Sequence, residues 1–288
     1  HSLDRRQRQM CIRDRLKVSE IFKESKMAIL ERNDKNSVAY ILLNSPETLN
    51  SLSDEMLAAL TSEIENLKNE TQIRAVVLSG AGKAFCAGHN LKEMTQGRNL
   101  EDGGKAYFLD LFNRCAKMMM LIQNLPQPVI AKVHGIATAA GCQLVATCDL
   151  AVAEETTKFG VNGVNIGLFC STPMVALSRN IPRKQAFEML TTGEFITADQ
   201  AKTLGLVNKV ASIESFEAQT EELAEKIASK LGSAVKIGKE AFYKQLEMPI
   251  IQAYEYTGQV MAENMMLRQT ERGIDAFLNK LEPVWEQD

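Results

Sequence analysis

Residues 134–149 have the sequence HGIATAAGCQLVATCD and directly follow an apolar run, Val129–Val133, that predicts a buried strand. The first half of this stretch consists mainly of small residues, so its backbone N–H groups can closely approach a ligand atom. A helix that begins near Ala140 would add unpaired N–H donors and the positive end of its dipole. Residues 84–94 (AFCAGHNLKEM) form a second stretch of this kind. If the two converge they make an oxyanion hole; the alternative is that the small residues only permit close packing of helix against sheet.

Strands and helices alternate along the rest of the chain. The apolar runs at 38–43 and 75–79 predict strands, and residues 106–123 predict a long helix. Residues 94–104 contain three glycines and predict a mobile loop, whereas the chain from about residue 214 onward predicts helix alone. This order indicates an α/β protein with covered sheets and an appended helical segment.

The charge composition argues against nucleic acid as a partner and separates the first residues from the rest. The 288 residues carry 33 Lys and Arg against 36 Asp and Glu, a net charge of −3. Residues 1–15 contain five Arg and two Asp, a net +3, which leaves −6 for the remainder. The remainder, residues 16–288, is the acidic body of the chain, and its charge argues against nucleic acid as the main partner.

Residues 1–15 are the basic head. This segment is either the remnant of a mitochondrial transit peptide, although its two Asp residues fit that poorly, or an extraneous segment.

Cysteine and histidine usage predicts neither disulfides nor a metal site. The six cysteines form no CxxC pair, so we expect free thiols in a reducing compartment. The three histidines do not supply the clustered ligands that a metal ion needs. The longest uncharged run, residues 159–178, contains two Asn, three Gly and a Pro, and therefore predicts no membrane span.

Five motifs, in this order, resemble the crotonase superfamily, the enoyl-CoA hydratases and isomerases. They are residues 45–52 (SPETLNSL), 84–94, 135–149 with Phe159 and Gly160 following, 192–207 (TGEFITA to GLV) and 275–280 (DAFLNK). The resemblance implies an α/β fold, a crotonase-type spiral of ββα units, with a C-terminal helical oligomerisation lobe and assembly as a homotrimer or hexamer. It implies an N-terminal extension over residues 1–25, a spiral core over 26–212 and the lobe over 213–288.

The resemblance also implies which residues bind an acyl-CoA thioester. The oxyanion-hole N–H groups fall on His89 and Ala140. The coenzyme A groove falls on Thr48 and Leu49, on backbone at Ala87 and Leu91 for the adenine end, on Lys92 near the phosphates, and on Phe277 and Lys280 from a neighbouring subunit. Lys92 and Lys280 are equally compatible with ordinary surface lysines. No tightly bound cofactor is implied, because coenzyme A enters as part of the substrate.

Two glutamates of the family's hydratases are missing. The first aligns with Gln143 and the second with Gly163. An amide can hold a water but cannot take its proton, and glycine offers no side chain. General acid–base assistance contributes about 10²–10⁴-fold, so hydration should be severely impaired. The isomerases use the second position as their base, so isomerisation is in question too. The imidazole of His89 is interpreted as facing solvent in preference to acting as a general base.

The sequence thus predicts an acyl-CoA thioester-binding protein of fatty acid metabolism with its oxyanion hole retained. Three alternatives stay open: a decarboxylase of malonyl-type thioesters, a thioesterase, and a non-catalytic regulatory binder. For the decarboxylase, Asn162, Asn165, Ser171 and Thr172 either steer a polar acyl group or are turn residues. RNA binding, found in one branch of the superfamily, is opposed by the acidic body. The resemblance implies a mitochondrial location, with the cytoplasm as the alternative.

Overall fold

The structure is a computed structural model that describes residues 28–285. The predicted extension over residues 1–25, with its basic head, lies outside this range. The described residues form nine strands: β1 (Leu30–Lys35), β2 (Val38–Leu43), β3 (Ala75–Gly80), β4 (Val129–Val133), β5 (Ile136–Thr138), β6 (Leu150–Glu154), β7 (Lys158–Gly160), β8 (Ile196–Thr197) and β9 (Lys209–Ala211).

The helices of the same range alternate with the strands up to β9 and then follow one another. They are α1 (Asp54–Leu67), α2 (Leu91–Gly97), α3 (Lys105–Asn124), α4 (Ala140–Thr147), α5 (Pro173–Asn180), α6 (Arg183–Thr192), α7 (Ala198–Leu204), α8 (Phe216–Ala228), α9 (Gly232–Leu246), α10 (Ile250–Met265) and α11 (Arg268–Leu278). Two short 3-10 turns, Pro46–Thr48 and Asn162–Ile166, complete the set.

A six-stranded sheet in the order β1-β2-β3-β4-β6-β9 forms the centre of the fold. The pair β1–β2 is antiparallel and every other neighbour in this sheet is parallel, with Val38 opposite Ala75 and Ile130 opposite Leu150. Parallel neighbours need crossover connections, which the intervening helices supply. The sequence did not predict β1, because its residues LERNDK are mostly polar and exposed and give no apolar signal.

Alternate residues of each strand face opposite layers of helices. In β3, Val76 and Leu78 belong to the cluster that contains α1 and α3, whereas Ala75 and Val77 belong to the cluster that contains α8. The sheet is therefore covered on both faces, as predicted. Because α8 packs on the sheet, the described part of the C-terminal segment, residues 213–285, is joined to the core by packing as well as by chain. The domain boundaries themselves stay a prediction.

Helix starts follow their capping residues. Ser53 caps α1, its hydroxyl accepting from the Met56 N–H at 3.1 Å, and the apolar side of α1 is buried as predicted. Asn90 caps α2 in the same way, accepting from Lys92 N–H at 3.0 Å. The prediction of a loop over residues 94–104 is wrong for its first part, since α2 continues to Gly97, where the Tyr107 ring packs closely.

A smaller sheet of β5, β7 and β8 lies beside the large one, with β5–β7 parallel and β7–β8 antiparallel. Within residues 28–285, no helix is long and apolar enough to cross a bilayer. Across the same residues, no three His, Cys, Asp or Glu side chains are placed to hold a metal ion. The five cysteines there are unpaired and buried.

The C-terminal helices are tied to the core by one buried ion pair. Lys239 of α9 places its Nζ 2.6 Å from Asp149 Oδ2 and donates to the carbonyls of Ile122 and Gln127, both at 2.9 Å. Tyr243 donates to the other oxygen of Asp149 at 2.8 Å. Beyond α9 the chain buries little, since α10 buries only Ala253 and α11 buries no residue.

Candidate functional site

The two small-residue stretches converge in the structure. Cys86 and Ala137 pair as parallel neighbours, with the Cys86 N–H donating to Ile136 O at 3.2 Å and the Thr138 N–H donating to Cys86 O at 3.1 Å. The chain after β3 thus runs beside β5 and reaches the start of α4. This is the arrangement that the oxyanion-hole interpretation required.

Glycine is needed at both sides of this junction. A Cβ on Gly141 would collide with the Cys86 carbonyl oxygen and lie 3.0 Å from Cys86 Cβ. A Cβ on Gly88 would lie 3.0 Å from both Thr138 O and Ala139 Cβ, and Gly88 has a φ of +87°, which L residues rarely adopt. The small residues therefore permit close packing and also bring two backbone segments together.

Two backbone N–H groups at the junction are left without a backbone acceptor. Ala140 is the first residue of α4, so its N–H has no partner within the helix, and Ala139 before it is held at a φ of 50°. On the other segment, the Gly88 carbonyl accepts from Leu52 N–H at 2.7 Å, while the His89 N–H has no backbone acceptor within residues 28–285. A residue held at positive φ without being glycine costs about 1–3 kcal/mol, a strain typical of functional sites.

The two residues that carry these N–H groups, His89 and Ala140, both line a cavity of about 330 Å³. Its lining comes from the segments 87–94, 138–140, 162–166 and 168–173, together with Phe112 of α3. This volume is in the range of small-molecule sites. Of the described residues that line it, none is Asp or Glu. Among its described lining residues, the cavity therefore has no carboxylate to move a proton.

The structure gives a physical reason for glycine at position 163. A Cβ on Gly163 would collide with the Leu168 carbonyl oxygen and lie 2.9 Å from Cys170 Sγ. The Leu168 N–H donates back to the Gly163 carbonyl at 2.9 Å, which holds the two segments together. A glutamate at this position thus requires the segment 168–170 to move away.

The other position aligned with a missing glutamate, Gln143, is buried in α4 at 5% exposure. Its backbone N–H donates to Ala139 O at 3.0 Å, but its side-chain Oε1 has no partner within the described chain. Its side chain is not part of the cavity lining. An amide at this place neither accepts a proton nor, in this conformation, reaches the cavity.

The expectation that the His89 imidazole faces solvent is wrong. Both ring nitrogens are buried, and neither has a hydrogen bond of normal geometry among residues 28–285, although the Leu52 backbone lies beside the ring. The ring packs edge-on against Phe112, 5.5 Å between centroids, because α3 passes beside the site. Burial lowers the pKa of His89 and Arg114 adds to this, while the Leu52 backbone and Asp54 oppose it. The imidazole is consequently neutral at pH 7.

The residues assigned to the coenzyme A groove divide into two groups. Thr48, Leu49, Ala87, Leu91 and Lys92 lie near one another, since the Ala87 N–H donates to Leu49 O at 3.0 Å and both Leu91 and Lys92 are in the first turn of α2. Ala87 and Leu91 also line the cavity. The structure does not bring the remaining two, Phe277 and Lys280, to the cavity lining of their own chain.

Sequence reasoning missed Phe112, Met94 and Thr138 as parts of the cavity. The sequence predicts Phe112 to be an ordinary apolar position of a helix and Met94 to lie in a loop. Thr138 donates its hydroxyl to Asn162 Oδ1 at 2.6 Å, which directs the amide nitrogen of Asn162 away from that bond. No local sequence signal marks these contacts, because each joins segments far apart in the chain.

Comparison with known proteins identifies the family of the chain. Residues 33–288 match the family model described as enoyl-CoA hydratase/isomerase. The chain belongs to this family and has the crotonase fold, which confirms the resemblance read from its motifs.

Its relatives include enoyl-CoA hydratase domain-containing protein 3, mitochondrial, of Xenopus laevis. That protein is 45% identical over 251 residues, or 87% of this chain and 84% of its own length. The crystal structure of human enoyl-CoA hydratase domain-containing protein 3 matches with a TM-score of 0.85 and 44% identity, over 89% of this chain and 99% of that one. An enoyl-CoA hydratase structure from Mycobacterium smegmatis matches with a TM-score of 0.86 and 52% identity, over 89% of this chain and 98% of that one.

Proposed function

We propose that this protein binds acyl-CoA thioesters in the cavity, with the thioester carbonyl oxygen accepting from the backbone N–H groups of His89 and Ala140. The observation that carries the proposal is the pair of acceptor-free donors lining one cavity. Such donors stabilise an oxyanion or enolate, because they are fixed before the charge develops. Family membership and the relatives' names support a role in mitochondrial fatty acid metabolism.

Efficient hydration is not part of the proposed function. It needs one carboxylate to activate water and a second to deliver a proton at C2, and the cavity lining has neither. Each such group typically contributes about 10²–10⁴-fold to a rate. We therefore expect enoyl-CoA turnover far below ordinary enzyme rates.

The second candidate function is decarboxylation of a malonyl-type thioester, and Asn162 is the observation that favours it. The Thr138 hydroxyl occupies the amide oxygen of Asn162, which leaves the amide nitrogen as the donor for a carboxylate on the acyl group. In this reaction the bond from C2 to the carboxylate breaks and CO₂ leaves. The electron pair stays as an enolate on the two N–H donors, and C2 then takes a proton from solvent. No protein base is required.

The coenzyme A part of the ligand is proposed to lie along Thr48, Leu49, Ala87, Leu91 and Lys92. Phe277 and Lys280 would complete the groove from a neighbouring subunit of a trimer or hexamer. Support comes from the last two helices, which expose large apolar side chains, among them Ile250, Ile251, Tyr254, Met261 and Phe277. A subunit interface is one place where exposed apolar side chains become buried. Light scattering coupled to size exclusion measures the assembly.

Calorimetric titration with butyryl-CoA, crotonyl-CoA, malonyl-CoA and free coenzyme A tests the main proposal. We expect micromolar binding of the thioesters. Mass spectrometry of the same mixtures then separates the alternatives: loss of CO₂ indicates the decarboxylase, free acid the thioesterase, and binding without turnover the regulatory binder. Absence of thioester binding, or crotonyl-CoA hydration at ordinary enzyme rates, would contradict the proposal.

Ala140→Pro tests the oxyanion donor directly. Proline is tolerated at the first position of a helix and replaces an N–H that the helix does not use with the ring carbon Cδ. A lost neutral hydrogen bond of about 0.5–1.5 kcal/mol corresponds to roughly 2–13-fold weaker thioester binding. The matched control is Arg183→Pro at the first, exposed position of α6. It should leave thioester affinity unchanged, and equal affinity in both variants would contradict the assignment.

A further inference from the structure

The His89 side chain has no role in the function proposed above, which uses only its backbone N–H. Yet His89 lines the same cavity, and both of its ring nitrogens are buried without a hydrogen bond of normal geometry among residues 28–285, with the Leu52 backbone as a polar group beside the ring. A buried polar group without a good hydrogen bond is costly and calls for an explanation, of which a catalytic role is one.

His89 is also the group of the cavity that is suited to accept a proton at neutral pH. The other titratable side chain in the described lining is Cys170, and burial raises the pKa of its thiol, so that it stays protonated. The charged groups facing the ring are Arg114 of α3 and Asp54 of α1, which pair with each other at 2.6 Å. Burial and Arg114 keep the imidazole neutral, which leaves one ring nitrogen with an available lone pair.

We propose that the His89 imidazole removes a proton from C2 of the bound acyl thioester while the backbone N–H groups of His89 and Ala140 hold the enolate oxygen. The ligand class is an acyl-CoA with hydrogen on C2, and the proposal rests on the thioester binding proposed above. Both ring nitrogens are covered in this conformation, so the step requires the ring to turn about its side-chain bonds until one nitrogen meets C2.

The step is balanced without a further reactant. The C2–H bond breaks, its proton moves to the imidazole nitrogen, and its electron pair moves into a C1–C2 double bond and onto the thioester oxygen. In reverse, the imidazolium returns a proton to C2. In heavy water the returned particle is a deuteron, so the acyl chain gains mass without any net reaction.

Deuterium exchange at C2 of butyryl-CoA, followed by mass spectrometry, is the test. The wild-type protein should incorporate deuterium, and His89→Gln, which keeps the backbone donor but removes the base, should be at least 10²-fold slower at saturating butyryl-CoA. His134→Gln is the matched control, because His134 lies outside the cavity lining and bonds to the Gly82 carbonyl at 2.9 Å. It should exchange within twofold of wild type.

A second measurement does not depend on how the variants fold. The wild-type exchange rate should be constant from pH 7 upward and fall only as the pH drops below the ordinary imidazole range, because burial lowers the pKa of the His89 ring and the protonated ring cannot accept a proton. Titration with butyryl-CoA separates the two proposals. No binding by wild type overturns the thioester proposal and this inference with it. Binding without exchange, equal exchange by His89→Gln, or loss of exchange in Cys170→Ala instead overturns the role of His89 alone.

Discussion

The absence of a glutamate at position 163 leads to a prediction about stability. The variant Gly163→Ala adds only the Cβ, which would meet the Leu168 carbonyl oxygen and, at 2.9 Å, Cys170 Sγ. Gly163 does not have a positive φ, so the effect is steric and not conformational. Overpacking of this kind costs about 1–3 kcal/mol. For a chain of this size, 1 kcal/mol shifts the melting temperature by about 2–4 °C, so we expect a decrease of roughly 2–12 °C.

The control is Gly238→Ala in α9, where an added Cβ meets nothing within 4 Å. Alanine is favoured over glycine in a helix interior by about 0.5–1 kcal/mol, so this variant should melt slightly higher than wild type. Both are measured by calorimetry at one protein concentration. The longer substitution, Gly163→Glu, should be still less stable and should gain no crotonyl-CoA hydration. A Gly163→Ala protein that melts at or above the wild-type temperature would refute the steric explanation.

Three further substitutions test other parts of the structure. Lys239→Met leaves the buried Asp149 carboxylate without its counter-charge and should lower the unfolding free energy by about 3–5 kcal/mol in urea. Its control, Lys35→Met, breaks an exposed ion pair and should leave the urea midpoint unchanged. Equal losses of stability in the two variants would contradict the claim that the buried ion pair matters more than the exposed one. Gln143→Glu should raise hydration by no more than about tenfold, since the side chain at this position does not line the cavity and the second acid stays missing, and a gain of 10²-fold or more would show that one acid at position 143 suffices. Ser53→Ala removes the α1 cap and should cost about 1 kcal/mol in the same urea titration, with no loss arguing that the cap is unused.

Much of the fold could be predicted from the sequence because its signals are local. The buried face of α1 follows directly from apolar spacing, and its start follows from Ser53. The strand β1 gives no such signal, because a polar edge strand is held by its pairing with β2 and not by its own apolar residues. The extent of α2 was missed for a related reason, since Gly97 is enclosed by Tyr107 from the next helix.

The backbone positions of the candidate site could be predicted from the sequence, whereas the arrangement of its side chains could not. Family motifs assign the N–H donors at His89 and Ala140, and the structure brings both to one cavity. The burial of the His89 ring depends on Phe112, and the need for glycine at position 163 depends on the carbonyl of Leu168. Such contacts form only when segments far apart in the chain pack together, so no local residue pattern predicts them.

The ion pair between Asp149 and Lys239 has a consequence for how the protein is made. The two residues are 90 positions apart. At a synthesis rate of roughly 5–20 residues per second, Asp149 leaves the ribosome about 5–20 seconds before Lys239. During that interval β6 and then β9 emerge, while the Asp149 carboxylate, which accepts from the Val129 N–H at 2.6 Å, has no cation to pair with. The strands of the central sheet are therefore all synthesised before the cation that compensates this carboxylate, and a chain that ends before α9 lacks that cation altogether.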